Sequence, residues 1–264
     1  MQLIHPSLLS AFFACLLIGC SSGPASAPAA KEDASIASPR EGRWFMERHE
    51  AFLQRAREGP VGLLFLGDSI TEGWAGAPGV WDHYYAKWNA ANFGVAGDKT
   101  QHLLWRITHG ELDALDPAVV VLMIGTNNSG DATADQIVRA NARIVEVIRQ
   151  RLPRTRILLL ALFPRGPRSS PGGEWDDGVT RMAVIDAVNA RLAGLDNGTT
   201  VRFLNINPVF LDRDGRIPRN LMPDQLHLSR TGYERWARAM DPLLQTLMTA
   251  DQDVSPALFP PPKA

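Results

Sequence analysis

Cysteine is nearly missing from this chain: it occurs only at Cys15 and Cys20. Beyond residue 20 the chain has no means of forming an internal disulfide or a thiolate metal site, so any domain there is stable through its core alone. Surplus charge is missing too. The formal net charge is -1, and nothing in it predicts a nucleic-acid partner, which would normally demand a basic face. No G-x-G-x-x-G follows a strand and no P-loop sequence occurs, so dinucleotide and nucleoside triphosphate binding lack support. Gly-x-Ser-x-Gly is absent as well, because Thr71 stands where the second Gly would fall, and the elbow of α/β-hydrolases is not met.

A long apolar run is also lacking. Leu8 to Ile18 is too short to span a bilayer comfortably, and it ends in Leu17-Ile18-Gly19-Cys20. That ending resembles the lipobox of bacterial lipoproteins. The resemblance implies a signal peptide over 1–19, cleavage before Cys20 and lipidation of its sulfur, hence a lipid-anchored protein of the cell envelope whose only membrane contact is the anchor. Met1 to Ser7 departs from the pattern in having no Lys or Arg. A plain signal peptide cut elsewhere is the alternative. The Ser/Ala/Pro-rich stretch that follows reads as a flexible tether over 20–40.

What is present is an ordinary globular mix, 45% hydrophobic and 21% charged in 264 residues, enough for one large α/β domain over 41–250. Arg43–Arg57 suits an amphipathic helix, and Val61–Leu66 is a first strand. A short strand from Ala90 runs into a Gly-containing loop at Gly97, and a helix spans Thr100–Ile107. Pro117–Ile124 is the strongest buried-strand signal. Helical spacing covers Thr133–Leu152, and another buried strand covers Arg156–Phe163. Pro164–Trp175 is expected as a loop, Gly178–Leu195 as a helix, Val201–Asn205 as a strand, Asn207–Leu226 as irregular, and Ser229–Met248 as the last helix. A Pro-rich tail occupies 251–264. Strands alternating with helices predict a parallel sheet covered on both faces.

Four stretches carry chemistry. The first strand ends abruptly in Gly67-Asp68-Ser69, which sets a nucleophile candidate, Ser69, at the C-terminal edge where open α/β sheets bind ligands. Gly97 offers a backbone N–H with no Cβ in the way, and Asn127, after the most buried strand, offers a side-chain amide donor. His227 is the base candidate. Asp224, three positions earlier, can reach the ring nitrogen turned away from the serine. Taken singly, Ser69 or Asp68 reads equally well as a helix cap, and Gly97 and Asn127 as turn residues. Asp68 reads as a local hydrogen-bonding residue because His227 has a nearer carboxylate in sequence.

Gly67-Asp68-Ser69, Asn92 to Thr100, Gly125-Thr126-Asn127-Asn128 and Asp224-Gln225-Leu226-His227 together resemble the four ordered blocks of the SGNH (GDSL) hydrolase superfamily. The second block, with Leu103-Leu104-Trp105-Arg106, is especially similar to catalytic subunits of platelet-activating-factor acetylhydrolases. The resemblance spans about Val61 to Met248. It implies a flavodoxin-like three-layer α/β/α sandwich around a central parallel sheet. It also implies a Ser69–His227–Asp224 triad, an oxyanion hole from the N–H groups of Ser69 and Gly97 and the Asn127 side chain, and no metal or organic cofactor. The expected activity is hydrolysis of small-acyl, chiefly acetyl, esters, with a small molecule or polysaccharide as substrate. A lysophospholipase or thioesterase of the same superfamily is the alternative, and an inactive glycan-binding lipoprotein a further one. Trp74, Trp81 and Trp175 fall in or near edge loops from which they could stack on sugars, unless they are core. Arg165 and Arg168 could meet an anionic group on the substrate, unless they are solvated loop charges.

Overall fold

The computed structural model describes residues 33–169 and 172–250. The signal peptide, Cys20, most of the expected tether and the Pro-rich tail lie outside the described residues.

The strand candidates with continuous apolar runs are strands buried at every position: β1 (Leu63–Gly67), β3 (Val119–Met123) and β4 (Arg156–Leu160). This is the burial that a sheet covered on both faces demands. With β2 (Ala90–Gly94) and β7 (Val201–Leu204) they form one all-parallel sheet in the order β2-β1-β3-β4-β7. Two further short strands, β5 (Arg168–Ser169) and β6 (Trp175–Asp176), form a separate antiparallel hairpin.

The helices are α1 (Arg43–Arg57), α2 (Ser69–Glu72), α3 (Pro78–Tyr85), α4 (Thr100–Thr108), α5 (Ala134–Arg151), α6 (Val179–Leu192) and α7 (Arg230–Thr249). On one side α4, α5 and α6 pack side by side, with α1 laid on α4 through Phe45–Trp105 and His49–Trp105 ring contacts. On the other, α3 packs on α7. The result is the expected three-layer sandwich.

The two layers differ in what fills them. Between β1 and the α3/α7 layer lies an aromatic cluster. Phe65, Trp74, Tyr85 and Trp236 are each no more than 1% exposed, and their rings lie 5.0–6.4 Å apart in the Phe65–Trp74, Phe65–Tyr85, Phe65–Trp236 and Trp74–Trp236 pairs. Each such ring stabilises the fold by about 1.5–3 kcal/mol through burial. Trp74 is therefore core and not a sugar platform. Trp81 is half-buried against the same cluster. Of the three tryptophans, only Trp175 is largely exposed, at 69%.

Two expectations are corrected. Residues 33–40, read as the end of a flexible tether, are docked on the domain. Ala34 is fully buried, its carbonyl accepts from Thr100 Oγ1 at 2.8 Å, and the Ser38 N–H donates to the Gln101 carbonyl at 3.2 Å. The stretch 164–175, read as a loop, carries most of the β5–β6 hairpin.

Candidate active site

Sheet order fixes where the site falls. The chain leaves β1 to form β2 on one side of it, then crosses back to form β3 on the other, so the C-terminal ends of β1 and β3 flank a topological switch point. In the register, Gly67 faces Gly94 on one side and Met123 on the other. Ser69 lies two residues beyond that level, Gly97 three beyond Gly94, and Asn127 four beyond Met123. Three loops thus leave three neighbouring strands from one level of the sheet.

Gly67 is glycine because a Cβ there would sit 2.1 Å from Thr71 Oγ1 and 2.6 Å from the Met123 carbonyl oxygen. Asp68 then caps α2, accepting from the Ile70 N–H at 2.9 Å. It is the local hydrogen-bonding residue that the sequence suggests. Burial pushes its carboxyl up to about 7, against the Ile70 bond and with a further push from Asp98. Ser69, the first residue of α2, holds an N–H without an intrahelical acceptor. The short helix is braced from behind. Tyr233 on α7 donates its hydroxyl to the Ile70 carbonyl at 2.7 Å, and Asn92 Nδ2 donates to the Thr71 carbonyl at 2.9 Å.

His227 reaches Ser69 across 158 positions of sequence, with its Nε2 2.9 Å from Ser69 Oγ. Its Nδ1 lies 2.7 Å from Asp224 Oδ2. The other carboxylate oxygen of Asp224 accepts from the N–H groups of Leu226 at 3.1 Å and His227 at 2.7 Å. Gln225, between them, takes a left-handed φ of 63°, which tightens the turn, and its carbonyl accepts from the Gly166 N–H at 2.8 Å. Burial alone would raise the Asp224 carboxyl. The backbone and imidazole hydrogen bonds of His227 outweigh it and hold Asp224 below the usual carboxylate range.

The donor side is equally built. Gly97 has a φ of +76°, which an L side chain rarely adopts, and among the described residues no acceptor is paired with its N–H. Its neighbours are fixed: the Ala96 N–H donates to Glu72 Oε2 at 2.8 Å, and Arg40 Nη1 donates to the Ala96 carbonyl at 2.5 Å. Asn127 Nδ2 spends one proton on the Asp98 carbonyl at 2.8 Å, which leaves the other for a substrate oxygen. Below, the buried Asp98 carboxylate pairs with Arg106 Nε at 2.9 Å, and Arg106 in turn pairs with Glu111. Burial pushes Asp98 up to about 6 although the Arg106 charge opposes it.

A groove of about 630 Å³ adjoins this site, lined among others by Gly97, Asn127, Arg165, Arg168, Trp175 and Leu226. Its two expected anion contacts are engaged within the protein. Arg165 is buried and donates to Asp176 at 2.8 Å, and Arg168 Nη2 donates to Asp224 Oδ2 at 2.9 Å.

Sequence reasoning missed Arg40, Glu72 and Tyr233, and took Asn92 only as the start of the second block; all four hold the site in place. Only Asn92 carried a signal, since Asn is unusual inside a strand.

Serine, imidazole and carboxylate in hydrogen-bonding series, with backbone and amide donors hung from adjacent strands, suit acyl transfer. The model of the GDSL-like lipase/acylhydrolase family matches residues 65–235. The chain is 36% identical over 239 residues to platelet-activating factor acetylhydrolase IB subunit alpha1 of Bos taurus, covering 90% of this chain and 97% of that protein. It is 31% identical over 227 residues to the alpha2 subunit of Rattus norvegicus, covering 86% and 93%. A solved GDSL-like lipase from Bacteroides thetaiotaomicron shares the fold, with a TM-score of 0.61 at 17% identity over 75% of this chain and 97% of that one. The fold, its relatives and the switch-point site define a hydrolase acting on carboxylic esters. The chain belongs to the GDSL-like lipase/acylhydrolase family.

Proposed function

We propose that this enzyme removes small acyl groups, chiefly acetyl, from carbohydrate esters, with Ser69 as nucleophile, His227 as base and Asp224 as the acid that orients it. The observation that carries the reading is the unbroken series from Ser69 Oγ to His227 Nε2 at 2.9 Å and from His227 Nδ1 to Asp224 Oδ2 at 2.7 Å. His227 takes the hydroxyl proton as Ser69 attacks the ester carbonyl. The N–H groups of Ser69 and Gly97 and the Asn127 amide receive the developing oxyanion, and each such donor is worth about 10²–10³ in turnover. His227 then protonates the departing alcohol, and water repeats the cycle on the acyl-enzyme. The proton account closes without a cofactor.

The acetyl preference is supported by the bovine and rat relatives, both platelet-activating factor acetylhydrolase subunits. The carbohydrate preference is supported by the groove. Its walls are charged, and Trp175 offers an exposed ring suited to a sugar face, whereas a long acyl chain needs a continuous apolar wall. Purified protein should cleave 4-nitrophenyl acetate faster than the butyrate and octanoate esters, and Ser69→Ala should abolish the activity. Equal rates for wild type and Ser69→Ala would end the serine assignment. Preference for octanoate, or for lysophospholipid over acetylated xylan, would move the enzyme to the lipase side.

We further propose cleavage before Cys20, lipidation of that residue and residence in the cell envelope, supported by the Leu8–Ile18 run and the Leu17-Ile18-Gly19-Cys20 ending. The tether and the domain boundaries follow from the same reading, with the domain's docked segment starting by residue 33. Mass spectrometry of the mature N-terminus should find acyl mass on Cys20, and a bare Cys20 would refute the anchor.

A further inference from the structure

We propose that Arg168 is a positioning residue of the triad, a cation that shares one oxygen of Asp224 with His227 and ties the acid to the wall of the substrate groove. The inference rests on the esterase reading above and deepens it.

Asp224 is surrounded by donors of two kinds. Its Oδ1 is fixed by two backbone N–H groups of its own turn. Its Oδ2 receives His227 Nδ1 at 2.7 Å and, from 56 positions earlier in the chain, Arg168 Nη2 at 2.9 Å. Arg168 opens β5 and lines the groove. Its side chain is only 16% exposed, and among the described residues its buried Nε has no hydrogen-bond partner. Among the described residues, Asp224 is the one carboxylate within ion-pair distance of it, and Asp176 pairs instead with Arg165 and Arg181. The guanidinium is therefore committed to the triad acid.

Two consequences follow. The Nη2 bond stops the carboxylate from swinging away from the imidazole. The positive charge also opposes, by Coulomb repulsion, a second positive charge on the imidazole next to it. The other charged groups on the groove side are Lys99, Arg165, Glu174, Asp176, Asp177 and Arg181; Arg219 on the triad's own loop donates to the Pro223 carbonyl, and Asp68 and Glu72 flank Ser69 in sequence. All of them persist when Arg168 alone is changed.

The test compares full-length wild type with Arg168→Gln, which is neutral, and Arg168→Lys, which keeps the charge. The His227 ring is titrated by NMR without substrate, and kcat/KM for 4-nitrophenyl acetate is followed against pH. In Arg168→Gln, the NMR midpoint and the acid limb should both move to higher pH by about 0.5–1 unit. In Arg168→Lys they should stay within about 0.3 unit of wild type. KM should change less than about twofold, with the loss falling on kcat, and the gap between wild type and Gln should narrow in 1 M NaCl. Arg168→Ala supplemented with guanidinium ion in the tens of millimolar should return toward the wild-type profile, a second route should the Gln variant fold poorly. Coincident midpoints in wild type and Gln, or a Lys variant shifted as far as Gln, would overturn the inference. Absence of hydrolysis by wild type would instead overturn the esterase reading, and the NMR midpoint would still decide the role of Arg168.

Discussion

Ser69 and His227 meet at one hydrogen bond, yet they are held there by opposite means. Beneath the serine the chain is apolar and aromatic. β1 is buried at every position, and Phe65, Trp74, Tyr85 and Trp236 back it with almost no exposure. The turn of the histidine is rooted in the core by Met222, Leu226 and Leu228, but the two side chains that meet there stand at its edge. His227 and Asp224 side chains are 42% and 38% exposed, and their turn is kept by carboxylate, guanidinium and backbone N–H contacts. Ser69 inherits its place from the apolar layer beneath it, whereas the His227 ring is oriented by a local polar network. Damage to the two halves should therefore read out differently, as lost stability on one side and lost turnover on the other.

The sharpest test of that contrast crosses the two halves. Asp224→Asn should cut kcat by about 10³–10⁴, because the amide no longer enforces the tautomer that the serine needs, while the thermal midpoint shifts by only a few degrees. Trp236→Ala should do the reverse. Removing a ring that packs on Phe65, Trp74 and Phe163 costs about 3–5 kcal/mol in denaturant melts, with KM of the surviving folded protein nearly unchanged. If Asp224→Asn unfolds the protein, or Trp236→Ala leaves it as stable as wild type, the division drawn here is wrong.

A smaller effect separates buried charge from half-exposed charge. The Asp68 carboxyl is pushed up to about 7 from an ordinary value of 3.8, so the folded state holds that proton more tightly than the unfolded chain does. Stability tied to the proton is present at low pH and is lost as pH rises through about 7. Asp68→Asn keeps an acceptor for the Ile70 N–H and cannot ionise. Relative to wild type it should gain roughly 1–3 kcal/mol between pH 5 and pH 8. Asp224 has the opposite sign. Its carboxyl lies below the usual range, so its contribution is present above the ordinary carboxylate value and is lost only in acid. Parallel melts of Asp68→Asn and Asp224→Asn across pH check both signs, and curves of the same slope would contradict the assignment.

The same division explains what could be read from the sequence. The strands that build the nucleophile side announce themselves as apolar runs, and Gly67, Gly97 and Asn127 are legible because each directly follows one. Asp224 and His227 are legible through their three-residue spacing. Arg168 was visible only as a charge in a loop, since its partner lies 56 positions away and no local pattern encodes such a pairing. The β5–β6 hairpin has two residues per strand, too few for alternation to show. Trp74 follows the Gly67-Asp68-Ser69 stretch and so resembles a site residue, and only its tertiary packing against Tyr85 and Trp236 reveals it as core. Residues 33–40 have the composition of a tether, but the Thr100 hydroxyl and the Gln101 carbonyl bind them to the domain.

The common register of Gly67, Gly94 and Met123 has a consequence for how such an enzyme can change. The sheet acts as a ruler. Neighbouring strands stand about 4.8 Å apart whatever connects them, so the loops carrying Ser69, Gly97 and Asn127 start from a spacing set by the hydrogen-bond ladder and not by the connecting segments. The turn between α5 and β4, exposed at Pro153 and Arg154, leads into the opposite end of the sheet from Ser69. Added residues there lengthen a path without moving its end points. Chemistry and periphery are uncoupled along the strand axis, which leaves one end of the molecule free to acquire insertions while the other keeps its geometry.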